Sequence, residues 1–149
     1  AGVRPSSGLL STARFCSRMK PSVFCDASIA TKVKFLLEVQ VQFRINHWQT
    51  KEFSRHNAFG GIYDALGDLI DRFVEESMGK YGRFELDDES KTINLQNLSE
   101  LDLKGMLKTT KDALIQFTDE FEPTDTNLMN IRDEILGEVN KLQYLLTLE

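Results

Sequence analysis

Only two of the 149 residues are cysteine, two are histidine, three are proline and one is tryptophan. Cys16 and Cys25 both lie in or beside the N-terminal 26 residues, so no disulfide framework is implied, and the usage suits a reducing compartment, the cytoplasm or an organelle interior. With His47 and His56 alone, the chain lacks the third histidine of a three-histidine hydrolase or transferase bundle. No apolar run reaches 18 residues, which excludes a helix crossing a hydrocarbon layer of about 30 Å. Strand alternation, internal repeats and low-complexity tracts are absent as well, and the length suits one domain with a real hydrophobic core.

Charge is present but unevenly placed. Residues 1–26 carry Arg4, Arg14, Arg18 and Lys20 against Asp26, a balance of +3 that leaves the rest of the chain at −8 of the total −5. An acidic body with a small basic tail favours cations over nucleic acid, unless the tail itself touches DNA phosphates. Residues 1–22 are rich in serine and arginine and hold no acid. That composition fits an organellar transit peptide, a disordered arm, or a stretch preceding a start at Met19. Residues 1–27 are therefore expected to be a tail, and residues 28–149 an all-α unit.

From residue 28 onward apolar residues recur at three- and four-residue spacing. Helix A is predicted over 28–49, with Asp26 or Ser28 as cap and Ile29, Val33, Leu36, Leu37, Val41 and Trp48 as its stripe. Gln40, Arg44 and His47 fall inside that stripe, where a polar group needs a partner. Helix B is predicted over 54–78, with Phe59, Ile62, Leu66, Ile70 and Phe73 as its apolar face and Ser54 with Asn57 as a partial capping signal. Beside that face runs an acidic line, Asp64, Asp68, Asp71 and Glu75, whose mutual repulsion calls for a compensating cation, supplied by Arg44, Arg72, a partner subunit or a metal. Gly79 and Gly82 mark the end of helix B. A crossover over 83–98 leads to helix C, opened by Ser99 with Asp102 and reaching Phe121, and to helix D, capped by Thr124 or Asp125 beyond Pro123. Two helices, a long connection and two more helices predict a ferritin-like four-helix bundle with one crossover.

His47-Trp48, His56 and Asp71-x-x-x-Glu75 supply imidazole and carboxylate donors, the ligand types of iron, manganese or zinc sites. Asp71 lies 15 residues after His56, roughly 22 Å along one helix at 1.5 Å per residue, so no single chain can close such a site. The set resembles the metal-site motif of the Dps-like ferritins, the starved-cell DNA-protecting family. The resemblance implies that His47 and His56 of one subunit and Asp71 and Glu75 of another hold iron across a two-fold interface, within a homo-oligomer that reaches a twelve-copy shell. It also implies ferroxidase and iron-storage activity, with Gln40, Arg44, Trp48 and Asp68 around the ligands.

Two positions depart from that pattern. The interval from His47 to His56 is nine residues, three fewer than in the family, and Gly60 stands where the family has a further acidic ligand. Asp64, one turn later, is the nearest substitute, and a single divalent cation suits the set better than a two-iron centre. The stretch from Glu76 to Arg83 is similar instead to uncharacterised ferritin-like proteins of phages and large DNA viruses. A non-catalytic assembly role, as a virion or scaffold component, is the alternative expectation.

Overall fold

The computed structural model describes residues 21–149, with the backbone alone for residues 21–28 and residue 118. The part of the expected tail that falls on residues 1–20 lies outside these described residues. The described chain is all-α: α1 (Pro21–Gln49), α2 (Phe53–Tyr81), α3 (Leu103–Gln116) and α4 (Thr126–Leu145), with 3-10 turns at Leu98–Glu100 and Phe117–Glu120 and no strand among the described residues. No described helix is long and apolar enough to cross a membrane.

Helix α1 starts seven residues earlier than predicted, so Asp26 and Ser28 lie inside it rather than at its cap. Pro21 occupies its first position, where the missing N–H leaves no hydrogen bond unmade. Its buried face is also rotated from the expected one. Ile29, Val33, Leu36, Val39 and Phe43 are buried, whereas Leu37 and Trp48 are exposed. Apolar residues occur nearly all the way round α1, so periodicity alone does not select the inner face.

Helix α2 buries the predicted residues Phe59, Ile62, Leu66, Ile70 and Phe73. The Ser54 capping signal is not used: Glu52 stands at the N-cap, without a side-chain cap bond, and pairs with Arg55 at 3.1 Å. At the other end Gly82, at φ 87°, takes the conformation that stops the helix, and its N–H donates to the Met78 carbonyl. Helix α4 runs antiparallel to α2, with Asn127 donating to Glu76 at 2.8 Å and Arg72 donating to Glu134 at 3.4 Å. Leu128, Ile131, Ile135, Val139 and Leu142 complete its buried side.

The crossover from α2 to α3 is held along the length of α1. Lys34 donates to the Glu89 carbonyl at 2.7 Å, and Glu38 accepts from the Asn94 amide at 2.8 Å. Gln42 grips Gln96 twice, accepting from its amide at 2.9 Å and donating to its carbonyl at 3.0 Å. Gln49 accepts from the Leu98 amide at 2.7 Å. These side chains satisfy backbone groups that no helix or strand would otherwise pair. The connection is therefore a strap running parallel to α1, and it delivers the start of α3 to the end of the bundle where α1 stops.

Helix α3 opens at Asp102, whose carboxylate accepts from the Gly105 amide at 3.1 Å, and not through Ser99. The reciprocal capping box instead joins Asn97 and Glu100 in the preceding 3-10 turn. The chain leaves α-geometry after Gln116, so Phe121 lies beyond α3. There Phe35, Phe73, Phe117 and Phe121 form one aromatic cluster, with neighbouring ring centroids 6.0–6.5 Å apart. Asp125 precedes α4 as expected, but its carboxylate makes no cap bond to that helix.

Candidate functional site

A turn over residues 50–52 joins α1 to α2 and brings the two histidines together. Their rings stack with centroids 3.8 Å apart and planes 20° from parallel. Nδ1 of His47 meets the His56 carbonyl at 2.6 Å, and Nδ1 of His56 meets the His47 carbonyl at 2.9 Å. A carbonyl oxygen can only accept, so both Nδ1 atoms carry the hydrogen. In each neutral ring Nε2 then holds the lone pair. The reciprocal bonds latch the turn, and they also define which nitrogen of each half-buried ring can act as a donor to a cation.

The carboxylates expected as co-ligands lie elsewhere. Helix α2 is unbroken from Phe53 to Tyr81, so the four-turn separation of His56 from Asp71 stands in the folded chain. Asp64, Asp68, Asp71 and Glu75 are all exposed, on the side of α2 opposite its buried face and not beside it as predicted. Arg44 approaches Asp64 at 4.0 Å, while Arg72 turns to Glu76 and Glu134. Among the described residues no ion pair engages Asp68, Asp71 or Glu75. Nor do the described residues contain a group of three or more histidine, cysteine or acidic side chains placed to hold a metal. One chain thus presents two imidazoles at one end of the α1–α2 hairpin and two carboxylates well along α2, too far apart to meet on one cation within that chain.

The residues expected around the ligands have other partners. Gln40 donates to the Tyr63 carbonyl at 3.2 Å. The Arg44 guanidinium lies 3.9 Å over the Tyr63 ring and 5.6 Å from that of Trp48, itself 67% exposed. Asp68 is exposed, and no ion pair engages it among the described residues. What orients each imidazole is the main chain of the other histidine, a pairing that side-chain spacing does not reveal. Gly60, one turn after His56, was read from the sequence only as the absence of a ligand, and the structure sets it against the His47 ring. A Cβ there would lie 2.9 Å from the His47 ring, so the glycine makes room for that ring where an acidic side chain was expected.

The opposite end of the hairpin holds a second polar cluster that spacing did not identify. Asp125 is fully buried, binds Lys80, and accepts from the Tyr81 hydroxyl at 2.5 Å and the Glu122 amide at 2.9 Å. Burial, the largest influence, would raise its pKa. The hydrogen bonds from Lys80, Tyr81 and Glu122, with the Lys80 charge, outweigh it and hold the carboxyl below its ordinary value. This cluster ties the end of α2 to the start of α4.

No solved structure matches the chain. Over 114 residues it is 30% identical to the uncharacterised 14.6 kDa protein in the mobD-ri intergenic region of Enterobacteria phage T4, a match covering 76% of this chain and 84% of that protein. The phage relative accords with the weaker of the two resemblances, that to uncharacterised phage and viral proteins. A family of unknown function (DUF5856) is matched over residues 47–146, a span that opens on His47 at the end of α1 and takes in α2, the strap and the last two helices. The chain belongs to that family.

Proposed function

We propose that copies of this chain share a divalent-cation site, with His47 and His56 of one copy and Asp71 and Glu75 of another as ligands. Iron is the proposed cation, and manganese and zinc are the alternatives that the same donors accept. The observation that carries this reading is the pair of Nδ1–H bonds to main-chain carbonyls. Metal-binding imidazoles are oriented in the same way, their second nitrogen donating to a carbonyl or carboxylate. Asp71 and Glu75 add support, because they are exposed to another molecule and no ion pair engages them among the described residues.

Ferrous oxidation by oxygen or peroxide is the activity such a set would serve, with Asp64 and Asp68 drawing cations toward it. Gly60 argues for one cation in each shared site over two, since the place of a further ligand is taken by the His47 ring. The assembly would be a dimer at least, and a twelve-copy shell if the likeness to Dps extends that far. Native mass spectrometry with elemental analysis tests this. About one iron or zinc per subunit, lost in His47→Ala combined with Asp71→Ala, is the expected result. Metal-free oligomers that the substitutions leave unchanged would sink it.

That second outcome would favour a non-catalytic assembly component. Trp48 and Phe53, exposed on either side of the turn between α1 and α2, support this other reading, because neighbouring outward apolar side chains mark contact surfaces more often than scattered ones do.

A further inference from the structure

Gly60 and Gly61 stand side by side on α2, and their surroundings differ. Neither has a positive φ, so neither is required by the backbone conformation. A Cβ on Gly61 would meet nothing within 4 Å, whereas one on Gly60 would lie 2.9 Å from both Cε1 and Nδ1 of His47 and 3.8 Å from its Nε2. The ring is not free to swing aside. Its Nδ1 is held by the His56 carbonyl, and its face is stacked on the His56 ring. A methyl group at residue 60 must therefore break one of those two contacts.

We propose that Gly60 is a positioning residue for His47: by presenting no side chain one turn after His56, it creates the slot in which the His47 ring stacks, donates Nδ1–H and keeps its Nε2 lone pair available. The metal consequence rests on the function proposed above, but the placement of the ring does not. A larger residue at this position would uncouple the two imidazoles and leave α2 itself intact.

The test uses the full chain in five forms: wild type, Gly60→Ala, Gly61→Ala, His47→Ala and the double variant His47→Ala/Gly60→Ala. In the metal-free protein, ring nitrogen shifts from long-range proton–nitrogen NMR report which nitrogen of each histidine bears the hydrogen. Both rings are expected as Nδ1–H in wild type and Gly61→Ala, with His47 leaving that state in Gly60→Ala. Zinc affinity, titrated in parallel, is expected to fall by about 10- to 100-fold in Gly60→Ala, the usual effect of losing a ligand-orienting contact. It should be unchanged in Gly61→Ala. If Gly60→Ala unfolds, the double variant is expected to recover the melting temperature of His47→Ala, because the clashing ring is gone. Wild-type His47 shifts in Gly60→Ala, or no recovery in the double variant, would overturn the proposal. A His47 change in Gly60→Ala alongside a wild type that binds no zinc would support the positioning role and defeat the metal reading instead.

Discussion

Asp125 illustrates how one residue is stabilised against its own burial. Its carboxylate is 0% exposed, yet it stays charged because Lys80, Tyr81 and the Glu122 amide all donate to it. Asp125→Asn keeps the shape and removes the charge, and is expected to cost about 2 kcal/mol, the scale of hydrogen bonds to a charged group. Urea denaturation at neutral pH measures it. The folded-state pKa is depressed, so this stabilisation is complete above the unfolded value of about 3.9 and is lost as pH falls through the folded value. Wild type should therefore lose stability below about pH 4 more steeply than Asp125→Asn. Equal acid slopes would mean that the carboxylate is not held as described.

Among the elements, the strap depends on α1 more than on itself. Its backbone makes paired contacts with Gln42, which is buried and also donates to Asn46 at 2.9 Å. Gln42→Ala would remove both bonds to Gln96, at a cost of about 1 kcal/mol for each. Amide hydrogen exchange should then accelerate over residues 94–98, with the cores of α2 and α4 protected as before. Unchanged exchange at Gln96 would show that the strap is held by something else. The polar residues read from sequence as misfits on the apolar stripe, Gln40, Arg44 and His47, turn to α2, whereas the hooks for this distant connection are Lys34, Glu38, Gln42 and Gln49, which their spacing did not single out.

At the scale of the whole molecule, Phe73 joins α2 to the aromatic cluster at the end of α3 and is almost completely buried. Phe73→Ala is expected to cost about 3–5 kcal/mol, through lost burial and the cavity left behind. A smaller loss in denaturant unfolding would indicate that the cluster collapses around the gap. The shared-site proposal makes a prediction that no single chain can satisfy. Copies carrying His47→Ala/His56→Ala and copies carrying Asp71→Asn/Glu75→Gln should each bind no iron alone. Mixed and reassembled, they should recover binding, because one site of each mixed pair has intact imidazoles from one copy and intact carboxylates from the other. Absence of recovery in an assembly shown to be mixed would remove the inter-copy site.

Sequence alone determined the four helices, the long connection and the buried face of α2, because a regular repeat of large apolar residues admits only one inward side. It also brought His47 and His56 into view, through their place on either side of a short turn. It did not determine the inner face of α1, where apolar residues such as Leu37, Val39, Val41 and Phe43 leave the period ambiguous. The tertiary structure decided that face, along with the outward direction of the acidic line, the hold of Gln42 on the strap and the burial of Asp125 beside Lys80. Those features depend on distant segments meeting in space: the tautomers of the stacked histidines, and the room left by Gly60, exist only once α1 and α2 have packed.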